Sequence, residues 1–338
     1  MRGWWQDLTD LVLPAECGGC GRPRTVLCPE CRAALHGSAP CRVRPEPEPA
    51  GLPVVHAAAP YEDEVRAVLL AHKERGALAL TGPLGAALAG AVRAGLAGSV
   101  QAGTAGPVWA GPDERPECRA AGPVGALEGV ARASRGPVAA GPSGAARGPV
   151  VLVPVPSARG AVRARGHDPA RRIALAAAGE LRRTGTAARV LGALRQRRAV
   201  ADQSGLNSRQ RMANLAGALE VAAGGAGLLA GAGRVVLVDD LMTTGASLAE
   251  AARAVRAALT EAAEAVEGAE AAVGARVYGS GTREATGVRI GEAAAGVADM
   301  AADRTHADRR ATDAVTARVG ICAAVVAASP DAFEINRN

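Results

Sequence analysis

The sequence predicts an α/β protein in which helices flank a parallel sheet, with a small metal-binding module before it. Two short valine-rich runs, residues 150–153 and 235–238, are each followed by turn-forming residues and then by a helical pattern. This succession is typical of strands that are buried on both faces of a parallel sheet. Two Cys-x-x-Cys pairs near the N-terminus are the third observation. With 338 residues, 49% of them hydrophobic, the chain suffices for one large domain with additions or for two domains.

The cysteine pairs define the first module, which we assign to residues 1–45. Four thiolates at this spacing are typical of tetrahedral zinc sites, in which each Zn–S bond is about 2.3 Å long. Such a site has no open coordination position, so we expect a structural role for it. The predicted ligands are Cys17, Cys20, Cys28 and Cys31. Residues 4–12 carry apolar side chains at helical spacing and predict a short amphipathic helix, which either caps the module or attaches to a membrane surface.

The second domain is assigned to residues 54–338. Residues 43–53 are rich in proline and glutamate and predict an extended linker before it. Residues 54–59 are a candidate edge strand, and residues 61–75 predict a helix that ends near Lys73. Lys73 itself either ends an ordinary helix or lies near a phosphate. Two segments rich in Ala, Gly, Pro and Arg, near residues 98–148 and 260–318, are predicted loop insertions, although the second permits helix in places.

The chemistry is concentrated where residues 235–238 end. Asp239 and Asp240 stand at the end of this predicted strand, and small, hydroxyl-bearing residues follow before the next helix. Backbone N–H groups, hydroxyls and the positive end of a helix dipole bind phosphate, whereas carboxylates suit sugar hydroxyls or a magnesium ion. We name this segment the phosphate loop: Thr243, Thr244, Gly245, Ala246 and Ser247. Together the two features predict a sugar-phosphate site.

Two further segments have candidate roles. Residues 150–153 end in a rigid turn formed by Pro154, Val155, Pro156 and Ser157. Arg163 and Arg165 follow and either bind pyrophosphate or form a solvated basic helix face. Residues 195–218 are highly polar, and predict either a mobile loop that closes over a reactive centre or a plain solvated connection. The residues of interest in this segment are Gln203, Arg211 and Asn214.

The order of these motifs resembles the ComF family of competence-associated phosphoribosyltransferases. The chain has two Cys-x-x-Cys pairs, a Y-x-x-x-V-R helix that reaches Lys73, P-V-P-S followed by R-x-R-G, then Q-x-x-L-x-x-x-x-R-x-x-N and V-V-L-V-D-D-L-M-T-T-G-A-S. The last of these looks like the phosphoribosyl pyrophosphate motif of type I phosphoribosyltransferases. The resemblance covers most of the chain outside the two insertions. One departure is His167-Asp168-Pro169, where the family often has Asn-Gln, so no contact to a base is carried over.

The resemblance implies a type I phosphoribosyltransferase-like sheet and a function. By it, Asp239 and Asp240 are the catalytic pair that holds the ribose 2- and 3-hydroxyls, and the phosphate loop holds the 5-phosphate. Residues 154–157, both arginines and the polar segment meet the pyrophosphate, with Mg2+ bridging pyrophosphate and ribose oxygens. The protein then transfers a ribosyl 5-phosphate to an unknown acceptor, or only senses the ligand. The sequence does not distinguish a monomer from a homo-oligomer.

An alternative function follows from the same family. Its members are associated with DNA uptake, which implies a non-catalytic factor acting on single-stranded DNA beside a helicase. The net charge of +6 is weak support, because Lys73 is the only lysine and the arginine excess fits a GC-rich genome. Aromatic residues make up 2% of the chain, which counts against base stacking. Residues 1–13 carry acidic residues where a secretory signal is apolar, and the apolar stretch 77–92 is short for a membrane span, so we expect a cytoplasmic protein.

Overall fold

The computed structural model describes residues 16–104, 148–198, 208–278 and 319–334. Along the chain the helices and strands are α1 (Pro29–His36), β1 (Cys41–Val43), β2 (Val55–Pro60), α2 (Asp63–Lys73), α3 (Thr81–Thr104), β3 (Val150–Pro154), α4 (Arg159–Arg165), α5 (Pro169–Arg183), β4 (Ala188–Val190), β5 (Leu194–Gln196), α6 (Ser208–Leu215), β6 (Leu219–Val221), α7 (Gly225–Ala230), β7 (Arg234–Met242), α8 (Ala246–Tyr278), β8 (Gly320–Ala328) and α9 (Asp331–Glu334). A 3-10 turn, Leu78–Leu80, precedes α3.

Six strands form a mostly parallel sheet in the order β1-β2-β8-β7-β3-β4. Only the β1–β2 pair is antiparallel within it. The strands predicted at residues 150–153 and 235–238 are confirmed as β3 and β7. The predicted edge strand is wrong in one respect, because β2 lies between β1 and β8 and β1 takes the edge. A separate two-stranded antiparallel ribbon pairs β5 with β6.

Both faces of the sheet are covered, and β7 shows how. Val236 and Val238 belong to the apolar cluster that contains α2, α3 and α5, whereas Val235 and Leu237 belong to the cluster on the α8 side. Successive side chains of a strand point to opposite faces of the sheet. Because both faces are covered by helices, every residue of β7 inside the core must be apolar. The expectation of a mixed α/β fold with a parallel sheet flanked by helices is therefore confirmed.

Helix α3 is the most apolar of the long helices that the structure describes beside the sheet. Residues 78–98 are long and apolar enough to cross a membrane, but about half of this stretch is buried inside the protein. The helix packs on β2, β8 and α5, and Gly85 lies so near Ala176 that a Cβ atom at Gly85 would come within 2.4 Å of the alanine methyl. Small residues therefore allow α3 and α5 to approach closely, as expected for a core helix.

Two helices extend into the predicted insertions, α3 against the expectation of a loop and α8 within the segment whose composition permits helix. Residues 98–104 continue α3, and residues 260–278 continue α8. Alanine has the highest helix propensity, so a composition dominated by it extends a helix that packing has already started. The remaining parts of both predicted insertions, and the predicted amphipathic helix at residues 4–12, lie outside the described residues.

Candidate functional site

The acidic pair lies at the carboxyl end of β7, in the interior of the sheet. Asp240 is 6% exposed, and its side chain contacts the end of α2. The alternation along β7 turns Asp239 toward the opposite, α8, face. Oδ1 of Asp239 accepts a hydrogen bond of 2.8 Å from the backbone N–H of Asp240. The two carboxylates therefore straddle the end of the strand, where ligands bind in open parallel sheets.

Lys73 completes the site from the last position of α2. Its Nζ lies 2.9 Å from Oδ2 of Asp240. Burial opposes the charge of the ammonium, but Asp240 and Asp239 outweigh it and raise the pKa of Lys73. Burial and the charge of Asp240 raise the pKa of Asp239, and Lys73 offsets part of this rise. The sequence left open whether Lys73 has a functional role, and the structure places it against the predicted catalytic pair.

The phosphate loop connects β7 to the first turn of α8. Gly245 has a φ of +73°, which favours glycine, and its carbonyl accepts a hydrogen bond from Ala249 at the start of the helix. Thr243 is exposed, and Thr244 and Ser247 are half-buried, so all three hydroxyls can reach a ligand. The first turn of α8 has no acidic residue. This arrangement joins hydroxyl donors to a helix N-terminus, as the sequence predicted for a phosphate.

The segment predicted as a linker lies against this loop. A Cβ atom at Gly245 would come within 3.2 Å of both Leu52 and Pro45. Arg256 of α8 donates a hydrogen bond of 2.7 Å to the carbonyl of Gly51. The expectation of an extended spacer between modules is therefore replaced by a strap that packs on the phosphate loop and on α8. Composition indicates a solvated segment here, but it does not report where individual apolar residues such as Leu52 pack.

The predicted pyrophosphate segment begins beside the acidic pair. Pro154 pairs with Val238 across the β3–β7 ladder, and the N–H of Val155 donates to the carbonyl of Val238 over 2.9 Å. Pro154 and Val155 are buried, and Pro156 and Ser157 are half-buried. Arg163 is exposed on α4, whereas Arg165 pairs with Glu74 just after α2 at 3.1 Å. The structure thus brings residues 154–157 to the site and directs Arg165 toward α2.

Arg211 joins the described part of the polar segment to the phosphate loop. A guanidinium N–H of Arg211, on α6, donates to Oγ1 of Thr243 at 3.4 Å. Arg198 donates to the carbonyls of Asn214 and Ala216, at 2.8 and 2.9 Å, and so holds the two ends of the segment together. Residues 208–215 form a helix, which the sequence analysis did not predict. Gln203 lies outside the described residues.

Two buried histidines next to the acidic pair were not assigned by sequence. The rings of His72 and His167 meet edge to face with centroids 5.7 Å apart. Nε2 of His72 is 3.2 Å from Oγ1 of Thr81, and Nδ1 of His167 is 3.1 Å from the carbonyl of Arg165. Burial, with a contribution from His167, lowers the pKa of His72 to about 4, so His72 is neutral near pH 7.

Residues 167–169, which differ from the Asn-Gln of the family that the sequence resembles, have a local structural role. Asp168 is the N-cap of α5, and its carboxylate accepts a hydrogen bond of 3.1 Å from the N–H of Arg171. Pro169 occupies the first helical position, where its missing N–H is not needed. These two residues therefore start a helix, and His167 packs on His72.

A buried carboxylate on α8 ties the β5–β6 ribbon to that helix. Glu250, with a side chain 6% exposed, accepts a hydrogen bond of 3.0 Å from the N–H of Leu219 and pairs with Arg253 at 2.7 Å. Arg253 in turn donates to the carbonyl of Leu219. Burial opposes ionisation, but Arg253 and the Leu219 N–H outweigh it and lower the pKa of Glu250.

Glu250→Gln is expected to destabilise the protein by roughly 1.5–3 kcal/mol, because it removes charge-assisted hydrogen bonds in a buried position. Since the folded pKa of Glu250 is lowered, its contribution is present above the unfolded pKa and is lost as pH falls through the folded one. Thermal unfolding measured between pH 7 and pH 3 should show the largest difference from wild type at pH 7. Glu264→Gln, an exposed change on the same helix, is the control, and equal melting temperatures for the two variants would contradict the assignment.

The four predicted metal ligands lie together. The Sγ atoms of Cys17, Cys20, Cys28 and Cys31 are all within 4.8 Å of one another. The Sγ atoms of Cys20 and Cys28 are 3.6 Å apart, and a tetrahedral site with Zn–S bonds of about 2.3 Å places its sulfurs about 3.8 Å apart. Burial opposes ionisation of Cys17, but N–H donors, that of Cys28 foremost, lower its pKa to about 6. The cluster can therefore hold a structural metal ion such as zinc.

The second cysteine pair opens a helix. Cys28 is the N-cap of α1, and Cys31 lies in its first turn. The first pair lies in a turn closed by a single bridge between Glu16 and Pro23. Pro29 at the first helical position explains the helix start. A helix N-terminus carries a partial positive charge that favours thiolates, but burial and hydrogen bonds to the other cysteines raise the pKa of Cys31. The N–H of Cys31 lowers the pKa of Cys28, but burial and hydrogen bonds to Glu30 and Cys20 outweigh it and raise that pKa overall.

The cysteine cluster packs into the same core as α2. Cys17, Cys28 and Cys31 belong to one apolar cluster with Val68 and Leu69. A Cβ atom at Gly19 would come within 2.6 Å of Sγ of Cys31 and 3.4 Å of Val68, and Arg75 donates to the carbonyl of Gly18 at 3.2 Å. The cysteine cluster thus supports the helix that ends in His72 and Lys73.

No protein-family model matches this sequence, and no curated protein matches it.

Proposed function

We propose that this protein binds phosphoribosyl pyrophosphate at the carboxyl end of β7, as a phosphoribosyltransferase or as a sensor of that ligand. The observation that carries the proposal is the assembly at this strand end. One buried and one partly buried carboxylate, Asp240 and Asp239, lie between Lys73 and a hydroxyl-rich loop at the N-terminus of α8. Carboxylates accept hydrogen bonds from ribose hydroxyls. The loop suits the 5-phosphate of the same sugar, whose phosphorus is five bonds from the 3-hydroxyl oxygen.

Each of three groups of residues is proposed to bind one part of the ligand. Asp239 and Asp240 accept hydrogen bonds from the 2- and 3-hydroxyls, and so fix the ribose ring. Thr243, Thr244 and Ser247 donate to the 5-phosphate, with Arg211 already held against Thr243. Residues 154–157 face the pyrophosphate, because β3 delivers them beside β7. In a transfer reaction this clamping at three points restrains the sugar while the bond from C1 to the pyrophosphate oxygen breaks.

Two metals belong to the proposal. The carboxylate donors of Asp239 and Asp240 fit a hard cation such as Mg2+, which would neutralise charge on the leaving pyrophosphate when bound. We propose zinc for the cysteine cluster, because four thiolates at tetrahedral spacing suit a soft, four-coordinate ion. With four sulfurs, that ion has no position for substrate, so its role is structural.

Titration calorimetry of phosphoribosyl pyrophosphate with Mg2+ tests the binding. Wild type is expected to bind, and the Asp239→Asn, Asp240→Asn double variant is expected to lose at least about 100-fold in affinity, since two hydrogen-bonding charges to the sugar are removed. The matched control is Glu261→Gln, Glu264→Gln, which removes two exposed carboxylates from α8. Release of pyrophosphate on addition of candidate acceptors then separates transfer from sensing. Absence of binding by folded, metal-loaded wild type would overturn the proposal.

A further inference from the structure

The only lysine of the chain is placed against its most buried site carboxylate. Lys73 Nζ lies 2.9 Å from Oδ2 of Asp240, whose side chain is 8% exposed. An ammonium is a compact, strongly hydrated point charge, and it is placed beside a buried carboxylate only where it replaces lost hydration. Lys73 therefore supplies the positive charge that Asp240 needs while no ligand is bound.

The charges at the end of β7 are not balanced by this pair. Asp239 adds a second carboxylate next to Asp240, and its Oδ1 lies 2.8 Å from the backbone N–H of Asp240. One ammonium offsets one carboxylate, so the ionised pair retains a negative field that attracts cations. A divalent cation and Lys73 are then competitors for the same oxygen of Asp240, because both cannot approach it without mutual repulsion.

The lysine can leave Asp240 without any movement of its helix. The end of α2 is held by His72, which is fully buried and lies 3.2 Å from Thr81, and by Arg75, which donates to the carbonyl of Gly18. The Lys73 side chain is 32% exposed and has a flexible four-carbon stem. Rotation of this stem is therefore the motion that the surroundings allow.

The proposed pyrophosphate segment begins on the neighbouring strand. Residue 154 is in register with residue 238, so residues 154–157 leave the sheet next to the acidic pair. A diphosphate between this segment and Asp240 offers the ammonium a stronger partner than one carboxylate. A cation that accompanies the diphosphate takes the place of the ammonium at Asp240. After the exchange the carboxylate is neutralised by the cation and the diphosphate by the ammonium.

We propose that Lys73 is an exchangeable counter-ion, which occupies Asp240 in the free protein and moves to the diphosphate when a sugar diphosphate enters with its divalent cation. The inference rests on the proposed function and assigns a selectivity residue to its site. Lys73 weakens the binding of a bare cation by competition and strengthens the binding of the cation–diphosphate complex. The site thereby binds the cation–diphosphate complex in preference to the bare cation.

A single resonance can follow this exchange, because lysine labelled with 15N at its ε position reports on Lys73 alone. In the free protein we expect ammonium protons protected from exchange by the pair with Asp240. Phosphoribosyl pyrophosphate with Mg2+ should shift the ε resonance, as should inorganic pyrophosphate with Mg2+, whereas Mg2+ alone at the same concentration should leave most of the signal in place. A resonance that stays unchanged when the ligand is bound would overturn the proposal.

Lys73→Met gives an independent readout, because it keeps the stem and removes the charge. We expect Mn2+ alone to bind this variant about tenfold more tightly than wild type, and phosphoribosyl pyrophosphate with Mg2+ to bind it about tenfold more weakly. Arg66→Met, an exposed cation on the same helix, should change neither affinity. Unchanged Mn2+ affinity in a folded Lys73→Met protein would overturn the counter-ion role.

The two proposals fail in different ways. If wild type binds phosphoribosyl pyrophosphate but the lysine resonance does not move, the proposed function stands and the exchange is wrong. If wild type does not bind that ligand, the proposed function is wrong. The Mn2+ affinities of wild type and Lys73→Met still decide whether Lys73 competes with a cation for Asp240. Should Lys73→Met unfold, the resonance of the wild-type lysine decides the question without a variant.

Discussion

Replacement of Cys28 by serine is expected to abolish the zinc binding proposed for the cysteine cluster and to lower the melting temperature by on the order of 10 °C. Cys28 is fully buried, caps α1 and shares its cluster with Val68 and Leu69 of α2. Loss of a structural metal belongs to the class of changes whose cost exceeds the usual range of about 0.5–3 kcal/mol. Zinc content by mass spectrometry and calorimetric unfolding measure the two effects on one sample.

The same variant is expected to lose sugar-phosphate binding, although the metal cluster contributes no group to that site. Arg75 joins the end of α2 to Gly18 inside the first cysteine pair, so an unfolded cluster releases the helix end that positions Lys73. Cys41→Ser is the control, since Cys41 lies on β1 outside the cluster. A zinc-free Cys28→Ser protein with the melting temperature and affinity of wild type would show that the module is independent of the site.

The parts of the fold that were predicted are those encoded by local periodicity. The valine-rich run of β7 and the repeat of Leu248, Ala251 and Val255 in α8 define their elements by themselves, and all of these residues are buried. The position of β2 was not predictable in this way. Its neighbour β8 comes from the last 20 residues of the chain, and insertion of that strand between β2 and β7 is a long-range event that no local pattern reports.

The site shows the same division between local and long-range information. The acidic pair and the phosphate loop are consecutive in sequence, so their juxtaposition was predictable, and the cysteine cluster follows from its spacing. The Lys73–Asp240 pair, the contact between His72 and His167, and the packing of Leu52 on Gly245 join segments far apart in the chain. These three contacts depend on how α2, the β3–α5 region and the strap are arranged around β7, and this arrangement cannot be read from the local sequence.

Carboxylates at the ends of strands are usually solvated, but Asp240 is buried. Asp240 is 6% exposed as a residue and is paired with Lys73, whereas Asp239 is partly buried and has no such close cation among the described residues. The desolvation that leaves Asp239 with a raised pKa is a cost to the folded state. The two neighbouring residues should therefore affect stability in opposite directions, although both are assigned to the same ligand.

Asp240→Asn is expected to destabilise the protein by roughly 1–3 kcal/mol, because it leaves a half-buried ammonium without its partner. Asp239→Asn is expected to raise stability at pH 7, because it removes a carboxylate that is costly to ionise. Since the folded pKa of Asp239 is raised, its cost is present above that pKa and disappears as pH falls through it toward the unfolded value of about 3.9. Calorimetric unfolding should therefore show the gain of Asp239→Asn shrinking with decreasing pH, while both variants lose affinity for phosphoribosyl pyrophosphate at pH 7. Equal destabilisation by the two changes would contradict the asymmetric pairing on which the proposed site depends.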